Sequence, residues 1–349
     1  MKAKNTFYLF CISCFVLLSC AKDDFLKNLE LEGKVIYAQN EASWPYDYYI
    51  KDLKTKNINK FTSLPLISNK GDKVALYKET WTGTTYTYAV LVTDLSGTET
   101  FYSSNEPSFS VTNMLWSPDD NQLVMLSYEK NNIRIYDFTT QKVSKIYLPG
   151  GDVFKNIIKW SGKDDFIYFM SKNSKKELSV GKIKPDGTGY QTVFRQESHH
   201  LIGSSYDYDE NADLILFNYF DSTKSEVKIV SIHNDGSELK TLFTGFGFHP
   251  AWVNDIDISP DGKKILYGQI SGLDDIYIMD IDGGNNKLFW KQALHPQWSK
   301  DGTIAMANVR YYMDWNTSKW DIRVKKINQD GEEETIINGP VTLISWITD

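Results

Sequence analysis

Residues 258–267, with the sequence ISPDGKKILY, contain the pattern that decides the fold. One strand ends at the Ser-Pro-Asp-Gly turn, where glycine tolerates the positive φ that such turns need, and a second strand follows. The alternating segment 275–280, DIYIMD, is typical of a half-buried third strand. The DGG turn at 282–284 then leads to a short fourth strand at 287–289. The segment therefore predicts a four-stranded antiparallel unit.

The same order of strands and turns recurs along the chain. Copies of the first turn begin at Ser68, Ser117, Ser161, Asp209, Ser259 and Ser299. The last five copies are 40 to 50 residues apart, which is the spacing of blades in a β-propeller. A generic antiparallel sandwich, the alternative, would not repeat this turn at that spacing.

The two ends of the chain complete the repeat. Residues 33–62 form a blade that lacks its first strand, and residues 343–347, LISWI, form a first strand that lacks its blade. Pairing of these two segments would close the ring and remove a free sheet edge. The sequence thus predicts an all-β, seven-bladed propeller with four-stranded antiparallel blades, with six or eight blades as alternatives.

These units resemble the TolB-like, WD-like propeller repeat over nearly the whole mature chain. The resemblance implies the fold but no particular function, because propellers carry many unrelated activities. TolB itself has six blades and an additional domain, for which this chain has no room.

The N-terminus indicates export. Lys2 and Lys4 precede an apolar run at 7–18 that is too short to span a membrane and is typical of a secretory signal peptide. The segment 17–20, LLSC, resembles a bacterial lipobox, although Leu18 is bulky for that position. This resemblance implies cleavage before Cys20 and attachment of lipid, such as palmitate, to its thiol.

We therefore predict a signal peptide at 1–19, a lipidated tether at 20–32 and a propeller domain at 33–349. The acidic segment 21–24, AKDD, resembles the surface-export signal of Bacteroidetes lipoproteins, with an ordinary periplasmic tether as the alternative. The expected location is the outer membrane, at the cell surface. The expected membrane contact is through the N-terminal lipid anchor alone.

Cysteine usage and charge exclude several classes of function. Cys11 and Cys14 lie inside the predicted signal peptide, so Cys20 would be the one cysteine of the mature chain, and no disulfide or thiolate metal site is expected. Losing Lys2 and Lys4 leaves 36 basic and 45 acidic residues, a net charge of about −9. Without a basic stripe, nucleic acid is not an expected partner.

Polar residues precede several of the turns by two or four positions, the period that places side chains on one face of a strand. If the first strand of each blade descends, the first turns lie on the lower face, and the hairpins between the second and third strands lie on the upper face. The polar side chains are then expected to face the central channel. They are Asn113, Lys159, Ser205, Asp207, Asp255, Asp257, His295 and Gln297. We predict ligand binding by Asn113, Asp207, Asp255, Asp257 and Gln297; the alternative is that they merely line a water-filled tunnel.

His249 and His295 open similar His-Pro motifs in successive blades. With Asp255, Asp257 and Gln297 they could ligate a divalent metal. Seven-bladed oligogalacturonate lyases of similar repeat type use His and Gln ligands, so this resemblance implies a metal-dependent polysaccharide lyase or hydrolase as an alternative function. Otherwise no cofactor is predicted.

Aromatic residues cluster in three upper-face hairpins of blades seven, one and two, which are neighbours in a closed ring. The six predicted binding residues are Trp44, Tyr46, Trp81, Tyr86, Tyr312 and Trp315. Rings beside Asp, Asn and Thr suit sugar stacking or a protein-binding hot spot, with packing between blades as the alternative.

No nucleophile elbow accompanies these residues, and the Asp-Gly turns lack the final Glu of a calcium-binding helix-loop-helix. The sequence therefore favours a non-enzymatic binding propeller of the cell envelope that recognises a glycan or a partner protein. A metal-dependent lyase or hydrolase, and a structural subunit of an envelope complex, are the alternatives.

Overall fold

The computed structural model describes residues 31–39, 47–84, 86–97, 100–106, 111–127, 131–175, 177–195, 200–246, 253–270, 274–314, 317–328 and 333–347. These residues form 28 strands in seven antiparallel sheets of four strands each, arranged as the blades of a propeller. The seven-bladed fold is confirmed, and six or eight blades are excluded. No helix within these ranges is long and apolar enough to span a membrane.

Each blade runs from its innermost to its outermost strand. Blade one contains β28 (Val341–Ile347), β1 (Lys34–Gln39), β2 (Asp47–Asp52) and β3 (Ile58–Phe61). Blade two contains β4 (Pro65–Ile67), β5 (Lys73–Trp81), β6 (Tyr86–Asp94) and β7 (Thr100–Glu106). Blade three contains β8 (Val111–Trp116), β9 (Gln122–Ser127), β10 (Asn132–Asp137) and β11 (Lys142–Tyr147). After a 3-10 turn at Pro149–Gly151, blade four contains β12 (Val153–Trp160), β13 (Ile167–Lys172), β14 (Leu178–Ile183) and β15 (Gln191–Arg195).

Blade five contains β16 (His200–Asp209), β17 (Leu214–Asp221), β18 (Glu226–His233) and β19 (Lys240–Phe246). Blade six contains β20 (Val253–Ile258), β21 (Lys264–Ile270), β22 (Asp274–Asp280) and β23 (Lys287–Trp290). Blade seven contains β24 (Ala293–Trp298), β25 (Ile304–Asp314), β26 (Thr317–Lys326) and β27 (Glu333–Ile337).

The repeated turn is stabilised by its own side chains. In blade six, Ser259 Oγ donates to Asp261 Oδ1 at 2.7 Å and accepts the backbone N–H of Lys264 at 2.8 Å. Gly262 closes the turn with a φ of 68°. A Cβ at Gly262 would collide with the carboxylate of Asp209 in the neighbouring blade. The turn motif therefore fixes both the hairpin and the spacing between adjacent blades.

The end-to-end closure is confirmed. Strand β28 pairs antiparallel with β1, from Lys34 opposite Ile347 to Gln39 opposite Val341. The indole Nε1 of Trp346 also donates to the carbonyl of Glu32 at 3.1 Å. The first and last strands thus share one sheet.

The apolar core lies between blades and explains the repeated tryptophan before the turn. Trp116, Trp160 and Trp298 are only 4%, 4% and 7% exposed. Trp116 Nε1 donates to the carbonyl of Leu66 at 3.1 Å, and Trp298 Nε1 donates to that of Asp257 at 3.0 Å. In both cases the indole ties its blade to the inner strand of the preceding blade.

Candidate functional site

A cavity of about 350 Å³ lies against the inner strands of blades five, six, seven and one. Its walls come from three consecutive positions of β16, β20 and β24, and from one position of β28. The ten lining residues are Ser205, Tyr206, Asp207, Asp255, Ile256, Asp257, His295, Pro296, Gln297 and Ile344. The cavity is therefore built at equivalent positions of successive repeats.

Local β-bulges shape this wall. In β20 the pairing with β21 shifts between Asn254 and Asp257, and in β24 the pairing with β25 shifts between Leu294 and Gln297. Within the bulges Asp255 and His295 have φ values of 51° and 56°, a region that non-glycine residues seldom adopt. A bulge breaks the in-and-out alternation of a strand, which explains why three consecutive residues line the cavity.

Asp255 and His295 form an ion pair across the two bulges. His295 Nδ1 lies 3.0 Å from Asp255 Oδ2. The contact with the Asp255 carboxylate raises the pKa of His295, against the opposing effect of burial. The backbone N–H of Asp255 donates to Ser205 Oγ at 2.8 Å. These contacts connect the inner strands of blades five, six and seven.

Asp207 and Asp257 occupy the same position in successive blades and bind the next inner strand in the same way. Asp207 Oδ2 accepts the backbone N–H of Ile258 at 2.8 Å, and Asp257 Oδ2 accepts that of Trp298 at 3.1 Å. Burial raises the pKa of both carboxyl groups. For Asp257 the negative charge of Asp207 raises the pKa further.

Several polar groups of the wall stay available to a ligand. The amide of Gln297 and Oδ1 of Asp257 make no hydrogen bond with any residue that the structure describes. Both residues line the cavity. An amide that donates and accepts beside a carboxyl group suits a ligand rich in hydroxyl or amino groups.

The structure thus brings together Asp207, Asp255, Asp257, His295 and Gln297 of the predicted channel residues, with Ser205. Two others lie elsewhere on the inner wall. Asn113 Nδ2 donates to Asn156 Oδ1 at 2.6 Å between blades three and four. Lys159 on β12 is exposed, and its charge lowers the pKa of both Asp207 and Asp257.

Three lining residues fall outside the predicted period of two: Tyr206, Ile256 and Pro296. They fall at the position that a regular strand would turn away from the channel. Pro296 could have indicated the bulge in β24, since proline within a strand pattern commonly marks a bulge.

The described residues do not assemble the predicted metal site. His249 lies outside them, and Nδ1 of His295 faces Asp255. Within the described ranges, no group of three or more His, Cys, Asp or Glu side chains is placed to hold a metal ion.

Of the six predicted aromatic binding residues, Trp44, Tyr46 and Trp315 lie outside the described ranges. For the others the structure describes the backbone. Trp81 and Tyr86 face each other as the last pair of the β5–β6 hairpin, and Tyr312 pairs with Ser318 in the β25–β26 hairpin.

These two hairpins are unusually long. Strands β5 and β6 have nine residues each, and β25 and β26 have 11 and 10, whereas β9 and β10 have six each. The guanidinium of Arg310 anchors the blade-seven hairpin: it binds Asp274 Oδ2 at 2.6 Å and stacks 4.7 Å from the ring of Trp320. Two long hairpins therefore flank blade one on the upper face.

Comparison with known proteins shows the fold alone. No family model and no curated protein sequence matches the chain. An oligogalacturonate lyase in complex with manganese is similar at 12% identity and a TM-score of 0.60, over 88% of this chain and 86% of that one. TolB from Acinetobacter baumannii is similar at 16% identity and a TM-score of 0.50, over 90% and 83%. A putative 6-phosphogluconolactonase from Bacteroides uniformis is similar at 13% identity and a TM-score of 0.53, over 90% and 100%.

Proposed function

We propose that the protein is a lipid-anchored binding propeller of the cell envelope that takes a glycan at the cavity between blades five and one. The observation that carries the proposal is a cavity of about 350 Å³ lined mainly by polar side chains, among which Gln297 and Asp257 offer unpaired groups. Small-molecule sites have volumes of about 300–1,000 Å³. A stable protein complex needs a broad surface of about 800 Å² on each partner. A recess of this size therefore suits a sugar better than it suits a protein partner.

The path of the chain supports an anchored orientation. The carbonyl of Gly33 accepts the backbone N–H of Leu53 at 2.9 Å, and Leu53 lies in the turn between β2 and β3. That turn is on the lower face, with the turns between the first and second strands of the other blades. The segment that follows a lipid on Cys20 would therefore join the propeller at its lower face, opposite the long hairpins of blades two and seven.

The metal-dependent lyase is the weaker candidate. Oligogalacturonate carries a carboxylate on each sugar, whereas the cavity wall contains three aspartates and neither lysine nor arginine. Like charges at close range repel. The wall therefore favours a neutral or basic sugar over an acidic one.

A glycan array probed with the full-length protein in detergent tests the binding function. We expect retention of a defined set of neutral or basic glycans, and loss of that signal in Gln297→Ala. The matched control is Gln191→Ala, which removes an exposed glutamine from the outer strand of blade four. An empty array together with stable copurification of an envelope protein would instead support the structural-subunit alternative.

A further inference from the structure

The charge of the cavity wall is only partly balanced by protein groups. Its ten lining residues include three aspartates and one histidine, without lysine or arginine. His295 balances Asp255 at 3.0 Å. Among the residues that the structure describes, Asp207 and Asp257 are left with Lys159, which is exposed and outside the lining set. A carboxylate that is partly removed from water without a paired cation is costly, and the negative groups on this wall outnumber the positive ones.

One of these carboxyl groups also has a free oxygen. Asp207 uses both oxygens, accepting the backbone N–H groups of Tyr208 and Ile258 at 2.8 Å each. Asp257 uses Oδ2 for the N–H of Trp298, while its Oδ1 makes no hydrogen bond with any described residue. In its ionised form, Asp257 therefore presents an oxygen whose hydrogen-bonding and charge requirements are both unmet by the described residues.

We infer that the ligand brings a cationic nitrogen to Asp257 Oδ1, so that the glycan recognised is an amino sugar with a free amine. The inference rests on the glycan-binding function proposed above and specifies its substrate class. An ammonium group supplies three donors and the missing positive charge in one contact. A neutral sugar supplies donors only, and an acidic sugar adds a further negative charge. The amide of Gln297 is available for a neighbouring hydroxyl.

Proton release accompanies this mode of binding. The charged groups that face Asp257 are Asp207 on β16, Asp255 on its own strand, His295 on β24 and Lys159 on β12. Burial and the charge of Asp207 raise the pKa of Asp257, which favours the protonated carboxyl in the empty cavity. An ammonium ion binds the ionised form and displaces that proton. Affinity should therefore rise with pH, by up to about tenfold per pH unit, while Asp257 titrates.

Isothermal titration of the full-length protein with glucosamine, glucose and N-acetylglucosamine tests the inference. Titrations at about pH 5 and about pH 6.5, both below the range in which such an amine loses its own proton, in two buffers of different ionisation enthalpy, measure both affinity and released protons. We expect glucosamine to bind at least about tenfold more tightly than glucose at the higher pH, with proton release. N-acetylglucosamine should show no advantage over glucose, because its amide is uncharged.

Asp257→Asn should abolish the preference for glucosamine and flatten its pH dependence, because the amide oxygen can still accept the N–H of Trp298 but carries no charge. The matched control, Asp282→Asn, removes an exposed lower-face carboxylate and should change neither. If Asp257→Asn fails to fold, the three sugars compared on the wild-type protein still decide the matter.

Equal or tighter binding of glucose would overturn the amino-sugar inference and leave glycan binding intact. Stoichiometric binding of calcium that excludes glucosamine would also overturn it. Absence of binding by all three sugars, with an empty glycan array, would overturn both proposals.

Discussion

Replacing Trp346 with alanine should weaken the junction between the first and last strands. Trp346 is 6% exposed and packs with Val35, Met306 and Leu343 between blades seven and one. Its indole also donates to the carbonyl of Glu32. Truncation of a fully buried tryptophan costs about 3–5 kcal/mol, and a lost hydrogen bond accounts for about 1 kcal/mol of such a change. We expect the free energy of unfolding to fall by about 4 kcal/mol.

That loss is large against the 5–15 kcal/mol that stabilise a typical domain. Urea denaturation followed by circular dichroism measures it. Trp298→Ala is the matched control, because Trp298 holds the same position in blade seven, is 7% exposed and donates to the carbonyl of Asp257. Its stability loss should be similar in size.

The two variants should differ in where the ring opens. Amide hydrogen exchange in β1 should accelerate in Trp346→Ala and stay slow in Trp298→Ala, because β1 borders only the first of these sites. A loss below about 1 kcal/mol for Trp346→Ala, or unchanged exchange in β1, would refute the view that β28 holds the ring closed.

Three further outcomes are expected. Cys20→Ser should release the protein from membranes and block processing, as membrane fractionation and mass spectrometry would show; unchanged retention contradicts the anchor. Gly262→Ala should lower the melting temperature more than Gly302→Ala, since both glycines have positive φ, 68° and 70°, but only at Gly262 does the new Cβ meet the carboxylate of Asp209. His295→Asn should remove a stabilisation that is fully present below the unfolded pKa of histidine, about 6.5, and is lost as pH rises through the raised folded pKa. Urea curves across that range check the sign, and a difference that grows with pH would contradict it.

The fold was predictable because its determinants are local and repeated. Each Ser-x-Asp-Gly turn carries its own stabilising contacts, such as the bonds from Ser259 to Asp261 and Lys264, within a few residues. The pairing of β28 with β1 was predictable from the same repeat, because the N-terminal blade lacks a first strand and the C-terminal segment supplies one. Six copies of one local turn, together with pairing of the first and last strands, leave little freedom for other topologies.

The cavity was predictable only in part, because its shape depends on non-local register. Asp255 and Asp257 were found from a period of two, but the bulge that turns Ile256 toward the cavity arises from pairing with β21. The bulge depends on how many residues of β20 pair with how many residues of β21, and the sequence of one strand does not show this. Asn113 holds the same position in the repeat as Asp255, but its side-chain amide donates to Asn156 and is not part of the cavity wall.

The position of the cavity follows from where the repeat departs from its own symmetry. Blades five and six place Asp207 and Asp257 two residues before the turn, whereas blades two and three place Leu66 and Leu115 there. Blades two and three have leucine at this position, so a carboxylate there is not needed to join neighbouring inner strands. Asp207 and Asp257 accept backbone N–H groups of the next inner strand, but blades two and three assemble with leucine at the same position. The proposed binding function would give these carboxylates a second role, through Oδ1 of Asp257 at the cavity.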